Sequence, residues 1–162
     1  MRKHLIWASA TLALVIAACG GPSPTAQASP TSTCTGGGPT SAHFVYVVVQ
    51  HLSGESVQKC IGFESPTIDG ETVMNQAGIE YQAQTFSFGK GMCQLDYEPA
   101  QFTTCFPPNQ PYWALFIDTG GTWTSAATAY TAVTLHDKDA LGWHYVQQTD
   151  PSPAPPPLPK QS

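Results

Sequence analysis

An α+β fold is predicted for the central part of this chain, and three observations predict it. Short β-branched and aromatic runs recur between residues 43 and 149, each bounded by Gly, Pro, Asn, Asp or Ser. A single segment, around 69–78, carries helical start and stop residues. Four cysteines, at 34, 60, 93 and 105, fall within or beside these elements. The length of the segment suits one domain with a modest core, to which disulfides would add stability.

The first run, HFVYVVVQ at 43–50, is dense in valine and reads as a strand buried on both faces. A turn at 52–55 leads into SVQKCIGF at 56–63, whose Val57, Ile61 and Phe63 share a face, so the two runs form a hairpin. In SPTIDGETVMNQAGI, Asp69 suits a helix N-cap and Gly78 the left-handed position that ends one. Ile68 and Val73 have the spacing of a hydrophobic staple. A helix of two to three turns should then show Val73, Met74 and Ala77 to the sheet.

Residues 81–100 contain Gly89 and Gly91 just before an alternating stretch around Cys93 and Leu95, read as one glycine-kinked strand. YWALFID at 112–118 is another strand, Gly120 and Gly121 a tight turn, and TWTSAATAY its partner. AVTLHDKDALGWHYV supplies two short strands separated by residues 136–139.

The ends of the chain differ in kind. Residues 1–18 have a basic start, an apolar run and a small-residue cleavage site, as a secretory signal does. Ile16-Ala17-Ala18-Cys19 resembles the bacterial lipobox, which would make Cys19 the lipidated first residue of the mature protein. Two or more acyl chains give stable anchoring, so the expectation is a protein anchored to the outer face of the bacterial cell membrane and not spanning it. Residues 19–42 are rich in Gly, Pro, Ser and Thr and read as a flexible tether. Residues 150–162 are proline-rich, favour polyproline II, and read as a solvated tail, with a groove ligand as the alternative.

Setting Cys19 aside leaves four cysteines in an oxidising compartment, with three possible pairings. Cys93 and Cys105 are separated by a turn-prone segment containing Pro99, and the chain before Cys60 can double back to it. Cys34–Cys60 with Cys93–Cys105 is therefore the preferred pairing. No CxxC occurs, which weighs against a zinc site.

From Cys19 onward there are four lysines and no arginine against eleven acidic residues, a net of −7. Without clustered cations, nucleic acid is excluded as a partner. No GxSxG or HExxH motif occurs, and no lysine stands in a nucleophilic setting, so no enzyme and no cofactor are expected. His136 with Asp137 reads as an exposed turn before it reads as an acid–base pair. Asp137 and Asp139 lack the further oxygens that calcium needs. His43, His51 and His144 lie apart in the sequence and suggest no shared metal site.

Aromatic residues are the remaining candidates. Tyr112, Trp113, Trp123, Trp143 and His144 gather late in the domain and form the candidate binding surface. Such rings on strands are core or surface. Tyr112 and Trp113 are neighbours on one strand, so they point to opposite faces and only one can enter the core. The larger ring, Trp113, is expected inside.

The order of signals carries a resemblance. A hairpin with a cysteine precedes a helix closed by Ala77 and Gly78; FGKGMCQLD, PYWALF, GGTW and LHDKDALGWHY follow. This resembles bacterial extracytoplasmic domains related to the C-terminal domain of transcobalamin, over nearly all of 43–147. Gly91, Cys93, Tyr112, Trp113, Trp123, Asp137, Asp139, Gly142 and Trp143 fall on the pattern, while Lys138 and Thr128 stand where glycine is common. The resemblance implies a small β-grasp-like domain and a non-catalytic binding module for a corrinoid or another flat hydrophobic ligand, serving a transporter. The alternative is a structural lipoprotein of the cell envelope that docks to a protein partner.

Overall fold

The structure is a computed structural model that describes residues 34–35 and 41–161. The expected signal segment, the lipidation site Cys19 and most of the tether lie outside the described residues. Among the described residues, no helix is long and apolar enough to cross a membrane.

The architecture is α+β, with nine strands and one short α-helix among the described residues. In chain order these are β1 (His43–Gln50), β2 (Ser56–Phe63), β3 (Ile68–Asp69), α1 (Gly70–Gln76), β4 (Tyr81–Phe86), β5 (Gly89–Leu95), β6 (Tyr112–Asp118), β7 (Trp123–Ser125), β8 (Thr134–Leu135) and β9 (Ala140–Val146). A 3-10 turn, Tyr130–Ala132, precedes β8. Five strands form the main sheet in the order β2-β1-β9-β6-β7. The central pair, β1 and β9, is parallel, and the other neighbours are antiparallel. First and last strands side by side in the middle, with a helix on one face, give the β-grasp-like arrangement.

Period-two alternation divides the side chains of this sheet between two faces. Val45, Val47 and Val49 of β1, Ile61 and Phe63 of β2, Leu141, Trp143 and Tyr145 of β9, and Trp113 of β6 share the inner face with α1. Ala114, Phe116 and Val146 lie on the outer face, with Tyr112 and Trp123 packed against them. The valine run of β1 is buried on both sides, because Tyr46 and Val48 are covered as well.

Helix α1 forms as its capping residues dictate. Asp69 adopts extended backbone, and its carboxylate accepts from the Thr72 amide at 2.9 Å and the Thr72 hydroxyl at 2.7 Å. Those hydrogen bonds hold the Asp69 carboxyl below its ordinary range. Val73, Met74 and Ala77 are buried beneath the helix, and Gly78 follows in the left-handed conformation.

Both expected disulfides are present, Cys34–Cys60 and Cys93–Cys105. The first secures Thr35 beside β2, where it bridges Ile61 in parallel; its amide donates to the Cys60 carbonyl and its carbonyl accepts from the Gly62 amide. Two residues of the expected tether therefore belong to the folded unit.

Two expectations need correction. The glycine-kinked strand expected around Cys93 and Leu95 forms as β5, but residues 81–86, where no strand was expected, form β4 and pair with it in a separate hairpin that turns at Ser87 and Phe88. Four of the six residues in β4 are exposed, which leaves that strand little apolar pattern to read. The proline-rich tail is not solvated along its length either. It lies back on the outer face of the sheet, where Pro156 is buried.

Candidate functional site

The helix covers the β1–β2 end of the inner face. Over β6 and β9 the hairpin β4–β5 and residues 96–111 arch above the sheet instead, and they leave space beneath them. The wall shared by Met92, Phe106 and Trp113 separates two cavities.

The larger cavity, about 650 Å³, runs under residues 99–111. Trp113, Tyr112 and Tyr145 line it, together with Gln82, Gln94, Gln101 and Gln110, and among the described residues no charged one faces it. The smaller cavity, about 430 Å³, lies between β5, residues 126–132 and the sheet. Trp113, Trp143 and Leu115 line it from the sheet side, Tyr130 from the 3-10 turn and Met92 from the hairpin. Lys90 is its one charged lining residue, and that ammonium group is already paired with the Glu71 carboxylate. Both volumes fall within the range of small-molecule sites.

The rings inside are held firmly. Trp113 and Tyr145 pack with centroids 4.8 Å apart, and Tyr130 meets Trp143 edge-on at 5.8 Å. The Trp113 indole donates to the Glu98 carbonyl at 2.9 Å, and the Trp143 indole to the Met74 sulfur at 3.3 Å. Burial pushes the phenols of Tyr130 and Tyr145 up from their ordinary value, so both stay neutral through the physiological range. Among the described residues the buried Tyr130 hydroxyl has no hydrogen-bond partner; nearby Tyr81 donates to Asn75 at 2.5 Å. The sheet-side floor is thus aromatic and neutral, with glutamines on the wall of the larger cavity and the paired Lys90 on that of the smaller.

Phe88 and Phe106 line the smaller cavity, and both pack on Phe86 behind them: Phe88 stacks on it in parallel with centroids 5.2 Å apart, and Phe106 meets it at 5.4 Å. Phe88 is 62% exposed, unusual for a ring that also lines a cavity.

One polar cluster pins the arch. His51, at the end of β1, places Nδ1 2.8 Å from Glu98 and Nε2 3.1 Å from Asp96. Burial opposes charge on the ring, but the hydrogen bonds and charges of Glu98 and then Asp96 outweigh it, and the pKa of His51 is raised. The carboxylates grip opposite nitrogens of one ring and do not converge on a common point. Among the described residues, no group of three or more His, Cys, Asp or Glu is placed to hold a metal ion.

The five aromatic and histidine candidates do not form one surface. Trp113 and Trp143 are buried on the inner face, where they floor the cavities. Tyr112, Trp123 and His144 are partly buried and belong to the outer side. The physical reason is the odd and even numbering along β6 and β9, which alternates the faces. Tyr112 is the exception in reach, since it also edges the larger cavity. His136 is exposed and Asp137 accepts from the Phe44 amide at 2.9 Å, so the pair builds a turn. Lys138 takes a left-handed conformation there, φ 70°, a position in which glycine would be at ease.

Sequence reasoning missed Met92, Tyr130, Tyr145 and the Phe86–Phe88 pair. The alternation Phe86-x-Phe88 was a usable signal for two rings on one side of a hairpin. The others depend on the arch, which no local pattern foretells.

No family model matches the chain, and no curated protein matches it. A solved structure of a candidate metal binding protein from Ruminococcus gnavus is similar at 15% identity and a TM-score of 0.48, covering 65% of this chain and 97% of that one. A likeness so distant carries no functional conclusion.

Proposed function

We propose that this chain is an exported, lipid-anchored, non-catalytic binding module that takes a flat, uncharged, hydrophobic ligand into the smaller inner-face cavity. The observation that carries the reading is Phe88, a largely exposed ring stacked on Phe86 that lines a space floored by Trp113 and Trp143. Exposed rings that continue inward as a buried aromatic floor offer a planar molecule a continuous path from water to contact.

The resemblance to transcobalamin-related domains supports a corrinoid as one such ligand. Anchoring through Cys19 would hold the site at the outer face of the membrane, where it could hand its ligand to a transporter. The second reading, a module that docks to an envelope protein, draws on the same exposed rings and on Tyr97, which is 68% exposed.

Titration with the neutral planar dye Nile red, and separately with cyanocobalamin, tests the site. Nile red should bind with enhanced emission, and Ala127→Trp, which crowds the cavity, should weaken binding at least tenfold. Equal binding by both proteins would overturn the placement. If neither probe binds, the docking reading takes precedence. The anchor is tested separately: Cys19→Ser should leave the protein unprocessed or released, and normal membrane retention would contradict it.

A further inference from the structure

The outer face of the sheet poses a different question, because the chain's own tail lies on it. Within residues 151–160, Pro156 is buried, Pro153 and Pro159 are half-buried, and every other residue is exposed. Burial thus recurs every third residue. Three residues per turn is the period of polyproline II, so one edge of such a helix faces the sheet.

The sheet carries matching features. A Cβ on Gly142 would stand 2.7 Å from the Trp123 ring and 2.8 Å from Pro156 Cγ, so Trp123 and the proline meet over a position that only glycine leaves open. Beside it, His144 Nδ1 is 2.7 Å from the Ala154 carbonyl; since a carbonyl only accepts, that nitrogen carries the proton. Farther along, Gln58 makes a paired contact with the tail backbone, donating to the Lys160 carbonyl and accepting from its amide, both at 2.8 Å.

Spacing agrees with this geometry. Gly142, Val48 and Gln58 lie in one row across β9, β1 and β2. Two strand spacings are about 10 Å. Four residues of polyproline II, from Pro156 to Lys160, span about 12 Å. The tail therefore crosses the strands as an extended rod, and the sheet's hydrogen bonds to it, from His144 and Gln58, reach its backbone and none of its side chains.

From this we infer that the outer face is a binding groove for a polyproline-II segment with proline at every third position, in which residues 153–160 sit as a resident ligand. A groove that reads proline rings and backbone does not distinguish its own tail from another chain of the same spacing. The partner it fits is a proline-rich extended segment of another protein, which competes with the tail. The Trp123 indole nitrogen, buried and without a hydrogen-bond partner among the described residues, is a further donor for a carbonyl of such a segment.

The test uses the full chain with Pro153→Ala, Pro156→Ala and Pro159→Ala, which loosens the tail without removing it. A synthetic peptide of residues 151–162 and a proline decamer are titrated into this variant and the unaltered chain. Both peptides should bind the variant at least tenfold more tightly than the unaltered chain, and the same peptide with its three groove prolines replaced by alanine should bind neither. If the variant fails to fold, Pro156→Ala alone serves instead, and the tail amide of Lys160 in the unaltered chain should lose protection as decamer is added. Equal affinity of both chains, binding of the alanine peptide as tight as the proline one, or no binding to a folded variant would each overturn the groove. A dimer that forms by tail exchange and dissociates on adding decamer would support it, with a second copy as the competing segment.

Discussion

The two faces of the main sheet are both rich in aromatic rings, yet they are closed in different ways. On the inner face, Trp113, Trp143 and Tyr145 are fixed by the sheet below and roofed by a hairpin and a disulfide-tied arch that leave hollow space. On the outer face, Trp123 and Tyr112 flank a shallow surface that the chain covers with a strap of prolines. The inner rings are part of the core and cannot move without unfolding it. The outer ones meet a strap held by backbone hydrogen bonds and one buried proline. The first face therefore carries more of the stability and holds the proposed small-molecule site, and the second holds the proposed exchangeable contact.

The comparison is broken most severely at Trp113. Replacing it with alanine removes a buried ring and an indole hydrogen bond and should cost roughly 3–5 kcal/mol. Trp123→Ala should cost clearly less, and denaturant melts of the two variants, side by side, measure the asymmetry. Equal costs would mean that the strap is as much core as the helix side.

Next in size is Gly142→Val. The added atoms stand where Trp123 and Pro156 already meet, and overpacking of this kind costs about 1–3 kcal/mol. Here the tail should also be released, so limited proteolysis should trim it faster than in the unaltered protein while the domain itself persists. A smaller loss, on the order of 1 kcal/mol, is expected for Gln58→Ala, which removes two hydrogen bonds at an exposed site. Hydrogen exchange at the Lys160 amide reads that change directly.

The smallest effect sharpens the inner side. His51 has a raised pKa in the folded protein, so its contribution to stability is fully present below the ordinary histidine value near 6.5. That contribution is lost as pH rises through the folded value. His51→Gln should therefore lower the melting temperature more at pH 6 than at pH 9. The reverse order would show that the ring is held neutral and that Glu98 and Asp96 do not favour its charge.

Much of this arrangement was legible in residue order. The valine-dense β1, the capped helix between Asp69 and Gly78, and strand β6 are strong local signals, and each forms where expected. Opposite faces for Tyr112 and Trp113 followed from alternation alone. Strand β4 was not legible, since YQAQTF places mostly polar or small residues in water on both sides and pairs only with β5. The tail was misread for another reason. Its threefold proline spacing is visible in the sequence, but the residues that receive it, Gln58, Gly142 and His144, are distant in sequence and ordinary in type. Only the register of β2, β1 and β9 brings two of them into one row.

The division between a hollow inner face and a strapped outer one is tested most directly by mapping amide chemical shifts during a Nile red titration of the full chain. The account predicts that shifts concentrate at residues 88–92 and 126–132, at the mouth of the smaller cavity, and leave Gly142, His144 and residues 153–160 unmoved. Shifts centred on Gly142 and the tail would contradict it, because the ligand would then be displacing the strap instead of entering the aromatic cavity beneath the hairpin.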